Sequence, residues 1–400
     1  MLRPRRERPR CPSPGAPIVR CTRGAEFTPL PYFVSYFVTW RSALVALLAM
    51  LAVPPPVVLA GGDFATPYTL VEAPPALDAA PGITLRGALM LHPARLPPPH
   101  PHEMSGLAWD ADAACLYAVT DNGLLVHLEP RFEDGRLRDL RWLATYPLRD
   151  ADGTPLSGRH ADAEGLVARH GGNGIVDDTE LVVSFERVPR LARYTPDGRL
   201  LGSEPLPTAL AGRAAWAGAN LQLEALTEHP ALGLVMAPER PLRDAPQAFV
   251  TLYAAPSRQW QLAAFDAPAG TVVGLETMSD GALLLLERRY VNLFFPIRFS
   301  LRRLELPAAG GTATARTLAV LDNTAGWSVD NFESVARHGN VTYFMVSDDN
   351  RHPLQHTLLV YFAVNEAETA LPRAAFSVRA GAASTRPGCT DACGNRADGR

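Results

Sequence analysis

The chain contains no lysine, and all 38 of its basic residues are arginine. With 41 acidic residues they give a net charge of −3. This mildly acidic balance argues against a nucleic-acid partner, because affinity for phosphate backbones comes from surplus basic charge. The abundance of arginine, alanine and proline indicates a coding bias rather than selection for binding. The composition therefore predicts no nucleic-acid contact.

Several motifs of catalysis and metal binding are also missing. The chain has five cysteines and no zinc-type CxxC pair. It has no GxSxG nucleophile elbow, no P-loop, no HExxH helix and no twelve-residue EF-hand loop. These absences exclude the common serine hydrolases, P-loop nucleotide hydrolases and zinc proteases as models for this protein.

Long hydrophobic runs are scarce, and the main one lies near the start of the chain. Residues 41–60 read RSALVALLAMLAVPPPVVLA, a basic residue, an apolar core and a small-residue end, as in a secretory signal peptide. Three prolines at 54–56 interrupt the run, whereas a membrane anchor needs about 20 apolar residues. We expect a leader over residues 1–60 with its signal peptide at 41–60, and a periplasmic or secreted protein without stable membrane insertion. An uncleaved anchor is the alternative.

One short pattern occurs five times in the remaining chain. A small or acidic step enters an apolar run, and an apolar strand that ends near an acid follows it. The copies begin at 105–108 (SGLA), 164–167 (EGLV), 224–227 (EALT), 276–278 (ETM) and 333–336 (ESVA), at intervals of 59, 60, 52 and 57 residues. A steady period with strand-like runs and almost no helical pattern is typical of a β-propeller.

The ends of the repeat array indicate how it closes. Apolar strands are predicted at 83–91 and 356–364, and a closed propeller must pair its first and last strands or leave an edge exposed. We expect these two strands to share a closing blade, which gives six blades, with five as the alternative. Residues 61–82 are predicted to be a linker, 83–375 the propeller, and 376–400 a disordered tail.

Equivalent positions of the blades surround one axis, so the repeated acids predict a ring of carboxylates. Such a ring suits a hard cation such as Ca²⁺, which takes oxygen ligands. The candidate ligands are Asp121, Glu186, Glu239, Asp348, Asp349 and Asn350. The candidate catalytic residues are Asp348, Glu287 and His160, and the candidate substrate-binding residues are Arg187, Arg240 and Arg288. The candidate structural or supporting residues are Asp162, Glu164, Asn220, Glu224, Glu276, Asn331 and Glu333.

Several of these motifs together resemble a known family. They are 104–108 (MSGLA) with 117–123 (YAVTDNG), 162–166 (DAEGL), and 330–335 (DNFESV) with 346–350 (VSDDN). Over about residues 85–365 the chain resembles the exported bacterial proteins of the esterase-like activity of phytase family, which have a phytase-like domain. The stretch 220–225 (NLQLEA) keeps Asn220 and Glu224 but lacks the glycines expected there. The resemblance implies a propeller that hydrolyses phosphoesters or other esters.

Two functions remain open at this point. The first is a cation-dependent hydrolase, a monomer that acts on a small-molecule ester or phosphoester. The second is a non-catalytic propeller of the cell envelope that binds a ligand or protein. In the second case each acid would accept hydrogen bonds from backbone amides of the next blade, and each following arginine would close an ion pair between blades.

Overall fold

The computed structural model describes residues 64–72, 80–212, 215–218, 221–267, 270–291 and 296–365. The predicted leader at 1–60 and the predicted tail at 376–400 lie outside these residues. Within the described part of the chain no helix is long and apolar enough to cross a bilayer.

The described residues form strands almost throughout. The strands are β1 (Ala65–Pro67), β2 (Ile83–Leu91), β3 (Met104–Asp110), β4 (Cys115–Thr120), β5 (Leu124–Glu133), β6 (Arg136–Pro147), β7 (Ala163–Arg169), β8 (Glu180–Phe185), β9 (Arg190–Tyr194), β10 (Leu200–Glu204), β11 (Leu223–His229), β12 (Gly233–Pro238), β13 (Phe249–Ala254), β14 (Arg258–Ala263), β15 (Gly270–Thr277), β16 (Leu283–Arg289), β17 (Arg298–Glu305), β18 (Gly311–Thr312), β19 (Thr314–Asp322), β20 (Asn331–Arg337), β21 (Thr342–Asp348) and β22 (Thr357–Val364). Short 3₁₀ helices lie at Pro93–Arg95, Gly158–His160, Thr208–Leu210 and Asn323–Ala325.

The strands form five sheets, which are the blades of a propeller. Blade 1 contains β3–β6, blade 2 β7–β10, blade 3 β11–β14 with β18, blade 4 β15–β17 with β19, and blade 5 β20–β22 with β2 and β1. The innermost strands contact one another in the cyclic order β3, β7, β11, β15, β20 and back to β3. The all-β propeller predicted from the repeat is therefore confirmed.

The number of blades is five, so the expected count of six is wrong and the alternative of five is confirmed. The strands near the two ends do share one blade, since Leu359 of β22 pairs with Leu89 of β2 on one side and with Val346 of β21 on the other. The fifth repeat, however, supplies only β20 and β21, so the closing strands complete that same sheet. Strand β1 of the predicted linker adds to its edge through pairing with β2.

The hydrophobic core is divided among the blade interfaces. Five buried clusters each join two neighbouring blades. Between blades 4 and 5, for example, the rings of Phe299 and Phe332 pack edge to face with their centroids 5.3 Å apart, an arrangement that adds about 0.5–1.5 kcal/mol to the burial itself. Because each blade packs against both of its neighbours, this packing holds the inner strands in place around the axis.

Candidate functional site

Each inner strand carries a β-bulge near its start. The ladder to the second strand shifts between Met104 and Gly106 in blade 1, and at the corresponding point of every other blade. The residues at the bulge are Ser105, Glu164, Glu224, Val273 and Glu333. A bulge re-aims the side chain of its extra residue, and four of these five side chains line a central cavity.

The second strands supply another set of equivalent positions. In each blade, the last residue before the bulge pairs with a residue of the second strand. The residue that follows this partner in sequence is Asp121, Glu186, Glu239, Arg288 and Asp348 in blades 1 to 5. All five line the same cavity, whose volume is about 1030 Å³. Four blades thus present an acid at this position, and blade 4 presents an arginine.

The register of blade 4 differs from the one that the sequence pattern indicates. Glu287 pairs with Val272, on the strand face turned away from the cavity. It is fully buried, accepts hydrogen bonds from the backbone N–H of Phe265 at 2.8 Å and from the guanidinium of Arg302 at 2.9 Å, and does not line the cavity. Glu287 therefore lies one residue before the position that Glu186 and Glu239 occupy in their blades.

Glu276 likewise does not occupy the position in blade 4 that Glu164 occupies in blade 2. The bulge residue of blade 4 is Val273, so aligning Glu276 with Glu164 is wrong by three positions. Glu276 lies outside the cavity lining, and burial raises its pKa to about 7 although the charge and backbone of Arg337 oppose the shift. With Val273 in the series, the last two repeat intervals are 49 and 60 residues.

The carboxylates outnumber the cations in the cavity. The acidic residues that line it are Asp121, Glu164, Glu186, Glu224, Glu239, Asp330, Glu333 and Asp348. Among the described residues, the arginine in the lining is Arg288. Such crowding of like charges out of water favours either protonation or a bound cation.

Arg288 joins three blades in one half of the cavity. Its guanidinium donates to Asn331 Oδ1 at 2.5 Å and to Glu333 Oε1 in blade 5, and to Glu239 Oε1 at 3.1 Å in blade 3. Burial alone would lower the pKa of Arg288, but the charges of Glu333, Glu239 and Glu224 raise it further above its usual value. The side chain is thus a fixed positive charge.

The other half of the cavity is lined by Asp121 and Glu164. Asp162 is not in the lining but has a carboxylate oxygen close to theirs, and we call these three residues the acidic half. One carboxylate oxygen from each lies within 4.8 Å of the others. Asp121 accepts a hydrogen bond from Ser105 Oγ, and Asp162 pairs with the half-exposed Arg187 at 2.9 Å. Three oxygens from two blades so close together match the oxygen-rich sets that bind Ca²⁺.

Burial is the main cause of the unusual proton affinities in this cavity. It raises the pKa of Asp121 and of Glu186 to about 8, with the charge of Asp162 adding to both shifts. It raises the pKa of Glu164 well above its ordinary value, and Asp121 and Glu224 raise it further. Apart from burial, the main causes that raise the pKa values of Asp121, Glu164 and Glu186 are the charges of neighbouring carboxylates, so the donor set fits a divalent cation.

The cluster at residues 348–350 of blade 5 directs its side chains to different places. Asp348 lines the cavity, accepts the backbone N–H of Asn350 at 2.8 Å, and has a pKa raised by burial to about 7. Asn350 also lines the cavity. Asp349 turns away, since its carboxylate accepts from His102 at 2.9 Å, from Thr357 at 3.0 Å and from a backbone N–H at 3.0 Å.

The remaining candidates lie elsewhere. His160 is exposed in a 3₁₀ helix and is not part of the cavity lining. Arg187 and Arg240 follow the cavity acids by one residue and are not in the lining either. Asn331 does line the cavity beside Glu333, whereas Asn220 lies outside the described residues.

The prediction from sequence missed several lining residues, Asp330 among them. It also missed the bulge positions Ser105 and Val273. The signal that identifies them is the small residue directly after the bulge. A Cβ on Gly106 would lie 2.2 Å from the carbonyl oxygen of Glu164, because the next blade approaches this backbone closely. Gly274 follows Val273 in the same way, so the step from a small residue to leucine, or to valine in blade 5, marks the register better than the acid does.

The fold and the cavity define a five-bladed propeller with an acidic central site. A family model described as "Phytase-like: Esterase-like activity of phytase" matches residues 100–351, more than half of the chain. The chain belongs to this phytase-like family. The match spans β3 to β21 and leaves out the closing strands β1, β2 and β22. A search of curated proteins gave no match.

Proposed function

We propose that this protein is an exported, cation-dependent hydrolase of phosphoesters or related esters, and that the central cavity is its active site. The observation that carries the proposal is that oxygens of Asp121, Asp162 and Glu164 lie within 4.8 Å of one another, with Asp121 and Glu164 in the lining of a cavity that has one lining arginine among the described residues. Membership of the phytase-like family supports the ester-hydrolase class.

Three carboxylates of the acidic half, Asp121, Asp162 and Glu164, would hold the cation. A hard divalent ion with oxygen ligands, such as Ca²⁺, suits this set. When bound, it supplies positive charge that attracts a phosphate oxygen and favours attack at phosphorus. Ser105 orients Asp121 through its hydroxyl, and Arg187 fixes Asp162 from the outside.

Asp348 is the residue that we assign to proton transfer. It lies on the cavity wall, and its pKa of about 7 lets it take a proton from water near neutral pH. The backbone N–H of Asn350 holds its carboxylate in place. We assign no catalytic role to Glu287 or His160, because both lie away from the cavity.

A second candidate, a binding propeller without catalysis, is favoured by the geometry of Arg288. Its contacts with Glu239, Glu333 and Asn331 tie three blades together, as expected if part of the ring is scaffold. Export rests on the sequence of residues 41–60 in either case.

The test is hydrolysis of a chromogenic phosphoester and of a carboxylic ester, with chelator and then with calcium restored. We expect activity to disappear with chelator and to return with calcium. Asp121→Asn should lower kcat/KM at least about 100-fold, since loss of a group that only supports a metal ligand already costs 10–100-fold.

Asp280→Asn is the matched control. Its carboxylate pairs with Arg303 at 2.8 Å outside the cavity lining, so activity should stay near that of the natural protein. Activity that is indifferent to chelator would refute the cation dependence. Absence of turnover on both ester classes, with calcium bound, would favour the binding propeller.

A further inference from the structure

The two halves of the cavity differ in how their negative charge is balanced. In the acidic half, the Asp121, Asp162 and Glu164 oxygens surround a common point and Arg288 is not among their hydrogen-bond partners. In the other half, Arg288 is enclosed by Glu239 and Glu333 through direct contacts. We call this second set, Glu224, Glu239, Arg288 and Glu333, the arginine half.

Arg288 lies at a position of the propeller where the other four blades carry an acid. It is the blade 4 equivalent of Asp121, Glu186, Glu239 and Asp348. The bulge position of the same blade holds Val273 in place of a polar residue. Blade 4 thus places a positive charge in the cavity lining and buries Val273 in the core, whereas blades 2 and 3 each contribute two acids to the lining.

The acids of the arginine half keep a geometry that suits a cation. Glu239 and Glu333 come from blades 3 and 5 and converge on one guanidinium, with Glu239 at 3.1 Å. Glu224 lies near enough to Glu239, Glu333 and Arg288 to interact with their charges. In addition, the Glu333 side chain is only 10% exposed, and its Oε2 atom is buried without a hydrogen-bond partner in the described part of the chain.

We propose that Arg288 occupies a second cation position of the cavity, so that the natural protein binds one divalent cation in its acidic half and a neutral residue at 288 opens a second site at Glu224, Glu239 and Glu333. The inference rests on the proposed function for the first cation but not for the second. Glu333 and Glu239 contact the two different terminal nitrogens of the guanidinium. When a shorter neutral side chain vacates this space, both carboxylates can shift inward to the 2.3–2.6 Å of calcium–oxygen contacts.

Calorimetric titration of the chelator-treated full chain with calcium tests this. We expect one bound calcium for the natural protein and two for Arg288→Gln. Arg289→Gln is the matched control, because Arg289 is the next residue of β16 and pairs with Asp266 at 3.0 Å rather than with the cavity acids. It should bind one calcium. The triple variant Glu239→Gln, Arg288→Gln, Glu333→Gln should return to one.

The outcomes separate the two proposals. If the natural protein binds no calcium and Arg288→Gln binds one, the cation dependence of the proposed function fails and the inference about Arg288 stands. If Arg288→Gln binds the same number as the natural protein, the inference is refuted. If Arg288→Gln folds only when calcium is added, as followed by circular dichroism, the inference is supported, and a variant that stays unfolded in millimolar calcium refutes it.

Discussion

Blades 2 and 4 are both four-stranded sheets, but they place side chains of opposite charge in the cavity lining. At the bulge and at the end of the second strand, blade 2 presents Glu164 and Glu186, whereas blade 4 presents Val273 and Arg288. A propeller repeats its backbone because each blade must pack against two neighbours. Its cavity side chains face shared space instead, so their charges are free to differ. The asymmetry between these two blades is what turns a ring of acids into a site with distinct halves.

The strongest test of this comparison is removal of the charge in blade 4. Arg288→Gln leaves Glu239 and Glu333 buried without their partner, and loss of one member of a buried ion pair costs about 3–5 kcal/mol. We expect that loss in the free energy of unfolding by urea with chelator present. Arg289→Gln removes a more exposed pair and should cost about 0–1 kcal/mol. Equal effects would show that Arg288 is not the balancing charge.

The register of blade 4 is tested by comparing Glu287 with Glu186, because each follows an apolar strand and precedes an arginine. Glu287→Gln weakens a fully buried contact with Arg302, and we expect a loss of about 3 kcal/mol in stability with unchanged activity per folded molecule. Glu186→Gln should do the reverse, with little loss of stability and about tenfold weaker calcium binding. Unfolding curves and calcium titration of both variants measure these effects, and similar behaviour of the two would contradict the register.

The close approach of blades 1 and 2 is tested at Gly106. Alanine there would place its Cβ 2.2 Å from the carbonyl oxygen of Glu164. Overpacking of this kind costs about 1–3 kcal/mol, and it should also disturb calcium binding through Glu164. Gly172→Ala is the control, because nothing lies within 4 Å of its added Cβ. Thermal unfolding in which both variants match the natural protein would argue against this packing.

The slope of stability with pH in the chelated protein tests the raised pKa values of the cavity acids. Asp121 and Glu186 have folded-state pKa values of about 8, above the values near 4 of unfolded chains. The folded state therefore binds more protons at these two groups, and their contribution to stability is fully present below about pH 4 and is lost as pH rises through about 8. Calcium should flatten this fall, because it replaces the protons. A chelated protein whose melting temperature rises between pH 5 and 8 would contradict the assignment.

Much of this site could be predicted from the sequence, because its signals are local. Asp121, Glu186, Glu239 and Asp348 each follow an apolar strand, so their recurrence alone indicated a ring. Glu287 was misplaced because it directly precedes Arg288, and Glu276 because it lies three residues after Val273. In both cases an acid near an apolar run fits the repeat pattern as well as the true equivalent does. A one-residue shift in strand register reverses the face of a side chain. Only the pairing of β15 with β16 shows that Arg288 faces the cavity.

The sequence by itself determined the strand-rich repeat, the class of fold and the presence of recurring acids, since alternation and turn residues act over a few positions. The tertiary structure decided the number of blades, because closure depends on which distant strands share a sheet, and β22 with β2 completes the fifth. It also decided which charges meet, because bulge register and packing between blades place Asp121 beside Asp162 and Arg288 among glutamates from two other blades.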